Sequence, residues 1–442
     1  MLISRSWVIL TRPGYKMTEI GEIPEEWEVY RLGEIFKIAT GTTPSTKIKD
    51  YWKGGIIEWI TPKDLSYLNG SLALPSSERK ITEKALKETT LNLLPENSIL
   101  ISTRAPVGYV GINGTEITFN QGCKGLIPLN KEKSLPYFYA YYLKSRTAFL
   151  NSVSGGSTFK ELSKESLKNV NAPSPPLFEQ QKIAEILSTA DEAIQKVNEQ
   201  ITRTEQLKKG LMRTLLTRGI GHTKFKMTEV GEIPEEWRNT PVRDIVSVKR
   251  GYSYRSDQIT RDKPTSIRII NINDFDKISG WKQSPEILYL TSSVIPSKFK
   301  LHPNELLIAN TDMSKGLIIG APLLIDRIPE DTSYIFSSDL TKLTPLNSSV
   351  NTKFLFYFLS YEPIRKATQS YAQGTNVLHL NHDLFKQISI PIPTLTEQQK
   401  IAEILSTADE KLGLLRKKSI ELEILKKGLM EDLLTGKIRV KV

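Results

Sequence analysis

Apolar residues recur at alternating spacings of four and three along two long segments of the chain. In the first segment the positions are 183, 187, 190, 194, 197, 201, 204, 208, 211 and 215, which hold Ile, Leu, Ala, Ile, Val, Ile, Thr, Lys, Leu and Leu. The matching positions from 401 to 433 hold Ile, Leu, Ala, Leu, Leu, Ser, Leu, Lys, Leu and Leu. Eight of the ten positions are apolar in each segment, which is typical of coiled-coil helices. We therefore predict two long helices that stop at Gly219 and Gly436.

The two predicted helices belong to an internal repeat of the chain. The stretch EQQKIAEILSTADE occurs without change at 179–192 and again at 397–410. The motif MTEIGEIPEEW at 17–27 returns as MTEVGEIPEEW at 227–237. The offset between the copies grows from 210 to 218 residues, so the second copy carries a net insertion between its opening and closing motifs.

Between the repeated motifs, the two copies diverge in sequence. Short β-branched runs bounded by Gly, Pro and Asn predict strands at 99–102, 267–271 and 388–392, and apolar periodicity predicts helices at 137–149 and 352–360. Each diverging stretch is therefore predicted to be a mixed α/β domain of roughly 150 residues, an ordinary domain size.

The order of these elements predicts how the two helices pair. The second domain connects the C-terminal end of the first helix to the N-terminal end of the second helix, so these ends should lie together. The predicted fold class is α+β, with two mixed α/β domains separated by two long antiparallel helices that form an intramolecular coiled coil, in a pseudo-two-fold internal repeat. Pairing with a helix of another chain is the alternative.

These patterns divide the chain into five segments. We predict an N-terminal tail at 1–16, a first domain at 17–175, a first long helix at 176–220, a second domain at 221–393 and a second long helix at 394–438.

Composition excludes several classes of protein. The longest apolar run, at 317–325, is too short to span a bilayer, so no membrane association is expected. Cys123 is the single cysteine, which excludes a disulfide framework within one chain and fits a reducing cytoplasm. The four histidines show no metal-ligand spacing with a cysteine or a carboxylate, so we predict no metal site.

The charge of the chain points to a polyanionic partner. The formal net charge is +11, and residues 179–218 hold seven Lys/Arg against six Asp/Glu. Residues 397–439 hold nine against eight, so nine of the excess charges lie outside the two long helices. A basic surface on the domains favours nucleic acid as the partner. Two unlike domains would then read two unlike halves of an asymmetric, bipartite DNA target.

The candidate DNA-binding residues are polar and basic side chains on loops rich in Gly and Pro. Arg pairs with guanine, Asn and Gln pair with adenine, and Lys and Thr contact phosphates. In the first domain the candidates are Thr42, Thr43, Ser45, Lys47, Lys63, Arg104, Asn120, Gln121, Lys124 and Lys160. In the second domain they are Arg250, Tyr252, Tyr254, Arg255, Asn310, Lys315, Asn376 and His379.

The repeated stretch of 14 residues is identical even at polar positions that the apolar stripe does not fix. We expect most of these side chains to face outward, so that each copy presents the same surface to one of two copies of a partner protein. The candidate docking residues are Glu179, Gln180, Gln181, Lys182, Glu397, Gln398, Gln399 and Lys400.

Several phrases of the chain together resemble the specificity subunit of type I restriction-modification systems. The helix openings EQQKIAEIL, the endings LKKGLM…LLTR and LKKGLM…LLTG, and the twice-used GEIPEEW carry this resemblance over residues 17–438. The first domain adds GTTPSTK…YWKGG…WITPKDL and STRAPVGYVG…NQGCKGL, which are typical of the target-recognition domains of that family. The second domain matches these phrases poorly, as expected for a different target.

The resemblance implies a non-catalytic subunit that binds double-stranded DNA through two target-recognition domains. It also implies that two methyltransferase subunits dock on the helix pair and that restriction (motor-nuclease) subunits join the complex. Because a rigid helix pair would hold the two domains at a fixed separation, we expect it to set the spacer between the two half-sites. No cofactor is expected on this chain, because S-adenosylmethionine, Mg and ATP would be bound by the partner subunits.

Two other classes of protein compete with this interpretation. An intrinsically active adenine methyltransferase needs an Asn/Asp/Ser-Pro-Pro-aromatic motif, and Ser174-Pro175-Pro176-Leu177 lacks the aromatic residue at the required place. The sequence also has no Gly-rich dinucleotide motif and no phosphate-binding loop. A coiled-coil scaffold that never touches nucleic acid would leave the excess positive charge of the domains unexplained.

Overall fold

The computed structural model describes residues 11–440 except 69, 105, 156–160, 229–230, 264, 277–279, 283–286, 293, 295–296 and 314–315. The chain divides into two compact units. Unit 1 consists of Met1–Gln200 and Leu415–Val442, and unit 2 consists of Ile201–Leu414. Each unit therefore contains one globular domain and a part of both long helices.

Unit 1 holds the first mixed α/β domain. Its strands are β1 (Tyr15–Thr18), β2 (Gly21–Pro24), β3 (Glu28–Arg31), β4 (Phe36–Thr40), β5 (Ile57–Ile60), β6 (Lys80–Ile81), β7 (Ile99–Ser102), β8 (Val110–Ile112), β9 (Thr118–Phe119), β10 (Cys123–Pro128) and β11 (Asn171–Ser174). Its helices are α1 (Leu32–Ile35), α2 (Pro62–Leu65), α3 (Glu83–Glu88), α4 (Pro136–Ser145), α5 (Thr147–Ser152) and α6 (Lys164–Lys168), followed by the long helix α7 (Leu177–Thr217). Short 3-10 helices span Lys49–Tyr51 and Ser66–Leu68.

The strands of unit 1 form two larger sheets, which position its loops, and the two-stranded sheets β1-β2 and β3-β11. The antiparallel sheet has the order β4-β10-β7-β8, and the smaller sheet has the order β6-β5-β9, in which β5 and β9 are parallel. Strand β11, which leads into α7, pairs with β3 near the start of the domain. Six of the ten residues of α4, at positions 138–143, are buried. Phe138 and Tyr139 pack in one cluster with Ile99 of the larger sheet and with Ile183 and Leu433 of the long helices.

Unit 2 holds the second mixed α/β domain. Its strands are β12 (Phe225–Thr228), β13 (Gly231–Pro234), β14 (Arg238–Pro241), β15 (Val246–Arg250), β16 (Ile259–Thr260), β17 (Ile267–Ile270), β18 (Leu288–Leu290), β19 (Glu305–Ala309), β20 (Thr311–Asp312), β21 (Pro322–Ile325), β22 (Ser333–Phe336), β23 (Leu340–Pro345), β24 (Ala372–Gln373), β25 (Leu378–Leu380) and β26 (Ser389–Ile392). Its helices are α8 (Thr352–Ser360), α9 (Glu362–Ser370), α10 (His382–Gln387) and the long helix α11 (Leu395–Leu434). Short 3-10 helices span Val242–Asp244, Ser256–Gln258, Ile272–Asp274 and Ser297–Phe299.

The second domain repeats the frame of the first despite its different sequence. The sheet β15-β23-β19-β21 corresponds to β4-β10-β7-β8, and β14 pairs with β26 as β3 pairs with β11. The parallel pair of β17 and β22 corresponds to the parallel pair of β5 and β9. The predicted fold class is thereby confirmed, and the predicted strand at 99–102 and helix at 352–360 agree with β7 and α8 to the residue.

The two long helices pair with each other as the apolar pattern predicts. All ten seam positions of each helix are buried or half-buried. Within unit 1, Ser419 donates to Asn198 at 2.9 Å and Lys426 pairs with Asp191, so the segments run antiparallel. Within unit 2, Lys208 pairs with Asp409 at 2.5 Å. Four seam positions are polar, and the two lysines among them, Lys208 and Lys426, are thus matched by aspartates of the repeated stretch.

Both long helices end as the sequence predicts. Helix α7 stops two residues before Gly219, which has a φ of +64°, and α11 stops two residues before Gly436, which has a φ of +70°. Positive φ values at these positions are typical of glycine that terminates a helix.

Candidate nucleic-acid interface

Several predicted DNA-binding residues of the first domain meet where its strands end. We define the first loop edge as residues 41–43, 61–63, 103–104 and 120–124, which follow β4, β5, β7 and β9 and begin β10. Backbone hydrogen bonds join these segments: Thr42 donates to Phe119 at 3.0 Å, Asn120 donates to Ile60 at 3.0 Å, and Thr103 donates to Gly122 at 2.8 Å. The side chains of Thr43 and Gln121 also bond to each other. Residues far apart in the sequence therefore lie along one edge.

The basic residues of the first loop edge differ in exposure. Arg104 is exposed, and its Nε lies 3.1 Å from Glu161. Lys124 is only 4% exposed, and its Nζ lies 3.9 Å from the same carboxylate. Burial lowers the pKa of Lys124 below its ordinary value. The expectation that Lys124 lies on a surface loop is wrong, because the residue is the second of strand β10 and its side chain is buried.

Of the remaining candidates of the first domain, Lys63 belongs to the edge, two lie beside it and one lies outside the described residues. Lys63 lies in α2 and pairs with Glu78 at 2.5 Å. Ser45 and Lys47 are exposed on the loop that continues from Thr43. Lys160 lies outside the described residues.

The second domain forms the same kind of edge with different side chains. We define the second loop edge as residues 250–252, 271–273, 310–311 and 337–341, with His379 beside it. Tyr252 donates from its backbone to Phe336 at 2.8 Å, and Asn310 donates to Asp339 at 2.7 Å, in positions that match Thr42 and Thr103 of the first domain. His379 lies opposite Thr311 in the antiparallel pair of β20 and β25. In the first domain Arg104 lies opposite Glu161 in the corresponding antiparallel bridge.

The candidates of the second domain are likewise divided between exposed and buried positions. Arg250 is exposed and its Nε donates to Ser338 at 3.0 Å. Asn310 is 4% exposed and its Oδ1 accepts from Thr341 at 2.7 Å, so the expectation that it lies on an exposed loop is wrong. Its Nδ2 is buried without a hydrogen-bond partner.

Four further candidates of the second domain do not lie on the second loop edge as defined. Tyr254 is half-buried, and burial is the main cause that raises its pKa. Arg255 is exposed and lies 3.3 Å from Asp257, and Asn376 is exposed on the loop before β25. Lys315 lies outside the described residues.

The sequence reasoning missed one pair of equivalent positions. Thr61 caps α2 with Asp64, and Asn271 caps the 3-10 helix Ile272–Asp274 with Asp274. Each capping residue directly follows the inner strand of the parallel pair. The available signal was the aspartate three residues after a polar residue, shared by TPKD and NIND. Asn271 and Asn273 are therefore additional residues of the second loop edge.

The polar positions at the start of the two long helices are more buried than we expected. Glu179 is 1% exposed, accepts from the Trp27 indole at 3.4 Å, and pairs with Arg439 at 2.6 Å. The side chain of Glu397 is 12% exposed and accepts from the Trp237 indole at 3.1 Å. The expectation that these two carboxylates face outward is therefore wrong.

The glutamines that follow them are fully buried. The amide of Gln180 donates to the carbonyls of Lys133 and Pro175 at 2.9 Å each, and its oxygen accepts from the Leu135 N–H at 2.9 Å. Gln398 makes the corresponding three bonds, to the carbonyls of Ser349 and Pro393 and from the N–H of Asn351. For Gln180 and Gln398 the predicted outward orientation is also wrong.

The next two residues of each copy are exposed, and their docking role stays a prediction. These residues are Gln181, Lys182, Gln399 and Lys400.

Across the described part of the chain, no helix is sufficiently long and apolar to cross a membrane. Within the same residues, no group of three or more His, Cys, Asp or Glu side chains is placed to hold a metal ion.

A duplicated mixed α/β domain, with a long helix after each copy, defines a two-domain architecture in which each domain carries one loop edge. A family model described as the type I restriction modification DNA specificity domain matches the chain twice, at residues 24–206 and 234–424. The chain belongs to this family of type I restriction-modification specificity subunits. The resemblance found in the sequence motifs is thereby confirmed.

Curated relatives match over nearly the whole chain. The MjaIX specificity subunit of a type I restriction enzyme from Methanocaldococcus jannaschii is 32% identical over 97% of both chains. The MjaVIII specificity subunit of the same organism is 30% identical, over 95% of this chain and 94% of the relative.

Solved structures share the fold. The S subunit of the type I restriction-modification system of M. genitalium superposes with a TM-score of 0.59, at 16% identity, over 96% of this chain and 99% of the other. A chain from a structural study of type I complex assembly superposes with a TM-score of 0.54, at 16% identity, over 94% of this chain and 99% of the other.

Proposed function

We propose that this chain is the DNA-recognition subunit of a type I restriction-modification complex and that each domain reads one half of an asymmetric, bipartite target. The observation that carries this proposal is the pair of loop edges, which share one backbone frame but present different side chains. In the first domain the edge offers Thr43, Gln121 and Arg104, whereas the second offers Arg250, Asn273 and His379. Side chains of these types hydrogen-bond to base edges and phosphates.

The proposal assigns catalysis to other subunits in the cytoplasm. Two methyltransferase subunits, which bind S-adenosylmethionine, would dock on the repeated helix surface that includes Gln181, Lys182, Gln399 and Lys400. Restriction subunits, which use Mg and ATP, would join for cleavage. The identity of these exposed residues in both copies supports two equivalent docking sites.

Exchanging one domain should change one half of the target only. The variant replaces residues 227–393 with the corresponding residues of another specificity subunit and is expressed with its methyltransferase. Mapping of methylated adenines in the host genome should show one half-site retained and the other replaced, because each loop edge is built within its own domain. A target changed in both halves would refute independent reading.

Shortening the long helices should change the gap between the half-sites. The variant lacks one heptad from each helix, residues 196–202 and 414–420, which are equivalent in the repeat and whose removal preserves the apolar spacing. Seven residues account for about 10 Å of helix, so the gap should shrink by about three base pairs. The unchanged half-sites serve as the internal control, and an unchanged gap would show that the helices do not set the spacer.

A further inference from the structure

In the first domain one arginine, Arg79, lies against two tryptophans; the tryptophans belong to the motifs YWKGG and WITPKDL, and the arginine belongs to none of the quoted motifs. The guanidinium of Arg79 lies 3.6 Å from the ring centroid of Trp52 and 5.3 Å from that of Trp59. The two indoles meet edge to face with centroids 5.1 Å apart. An arginine whose guanidinium lies over an indole ring loses much of its conformational freedom and keeps its outer N–H groups available.

The same two tryptophans also hydrogen-bond to the loop that contains Thr42 and Ser45. The Trp59 indole N–H donates to the Thr42 carbonyl at 3.0 Å, and the Trp52 indole N–H donates to the Ser45 carbonyl at 3.1 Å. Each tryptophan that contacts Arg79 therefore also holds a backbone position of the loop. Arg79 is thus placed beside the exposed residues of this loop by a rigid support.

The backbone of Arg79 is fixed as firmly as its side chain. The carbonyl of Arg79 accepts from the backbone N–H of Trp59 at 3.2 Å and from the hydroxyl of Ser77 at 2.6 Å. The neighbouring carboxylates are paired elsewhere, since Glu78 binds Lys63 and Glu58 binds Lys80. Arg79 is exposed, and no carboxylate in the described ranges lies within ion-pairing distance of its guanidinium.

We infer that Arg79 is a base-reading residue of the first domain, that it binds a guanine in the half-site read by this domain, and that Trp52 and Trp59 are its positioning residues. This inference rests on the proposed function. Guanine offers two acceptors, O6 and N7, that match the planar fork of a guanidinium.

The choice of a base over a phosphate follows from the surroundings of Arg79. Exposed lysines already line this part of the domain at Lys47, Lys49 and Lys53, and flexible ammonium groups serve phosphates without a fixed orientation. The guanidinium of Arg79 is instead held against two indole rings, and its backbone carbonyl accepts two hydrogen bonds. A fixed plane matters for a bidentate contact to a base edge, which must match two acceptors at once.

The test uses the complete complex of this chain with its methyltransferase subunits. Arg79→Lys keeps the charge and removes the planar fork, and Trp52→Phe keeps an aromatic face and removes the bond to Ser45. Arg31→Lys, an exposed position on β3, is the matched control. Genome-wide methylation maps and rates on duplexes with single base-pair changes are compared for each complex.

For Arg79→Lys we expect the preference for one G·C pair in one half-site to fall by about tenfold to hundredfold, with the other half-site unchanged. Trp52→Phe should relax the same half-site, and Arg31→Lys should leave the target as it is. Unaltered discrimination in Arg79→Lys would overturn the inference. A methylation rate that falls equally on all sequences, together with a weaker salt dependence of DNA binding in Arg79→Ala, would also overturn the inference and identify a phosphate contact. A wild-type complex that methylates no bipartite site would instead refute the proposed function.

Discussion

Gln180→Ala is expected to destabilise unit 1 by about 3 kcal/mol, because three backbone groups that bond to this fully buried side chain lose their partner at once. These groups are the carbonyls of Lys133 and Pro175 and the N–H of Leu135. Each unsatisfied buried group costs about 1–3 kcal/mol, and alanine has no polar group that could replace the lost bonds. In a unit of this size the melting temperature should fall by about 6–12 °C, as measured by calorimetry of the purified chain or complex.

The adjacent residue supplies the matched control. Gln181 is exposed, so Gln181→Ala should change the free energy of unfolding by less than about 0.5 kcal/mol. Gln398→Ala and Gln399→Ala repeat the comparison in unit 2, where Gln398 makes the same three bonds. Equal melting temperatures for Gln180→Ala and Gln181→Ala would contradict the role of the buried glutamine.

The burial of these residues changes what the identical stretch means. Glu179, Gln180 and Asp191 each bond to the globular domain, through Trp27, Leu135 and Tyr141. The corresponding residues of the second copy bond to Trp237, Asn351 and Tyr357. Much of the identity is therefore explained by how each helix is fixed to its domain. Only the exposed part of the stretch remains available for a partner.

The helices and their pairing could be predicted from the sequence because they depend on periodicity and connectivity. Every predicted seam position is buried or half-buried. Lys208 and Lys426 look like defects in the apolar pattern, but they pair with Asp409 and Asp191 in the antiparallel arrangement. A pattern confined to one helix cannot show this, because the partner of each lysine lies on the other helix.

The loop edges were only partly predictable, because exposure depends on tertiary packing. Thr43, Gln121 and Arg104 were found from residue type and loop composition. Lys124 and Asn310 have equally suitable residue types, but they lie at the ends of buried strands. Arg79 was missed because its neighbours in the sequence are ordinary, and the two tryptophans that hold it are 20 and 27 residues away in the chain.

Gly41→Ala and Gly251→Ala should each disable one loop edge and leave the other intact. These glycines follow the equivalent strands β4 and β15, and each lies against the backbone of another segment of its own loop edge. A Cβ at Gly41 would lie 2.0 Å from the carbonyl oxygen of Asn120, and one at Gly251 would lie 2.0 Å from that of Ser337. Backbone must move to admit a methyl group, at a cost of about 3 kcal/mol. We expect methylation assays on duplexes with single-base changes to show at least about tenfold weaker discrimination in one half-site, a different half for each variant.

A glycine with open space around it serves as the control, because alanine there should not displace any segment of a loop edge. Gly210 lies inside α7, and apart from its own helix no heavy atom would come within 4 Å of a Cβ added there. Gly210→Ala should therefore stabilise the chain by up to about 1 kcal/mol and keep both half-sites. If Gly41→Ala and Gly251→Ala impaired the same half-site, the two edges would not read independently. If neither variant altered discrimination, the strand-end loops would not be the reading surface, because the segments displaced by the methyl groups contain Asn120 and Ser337.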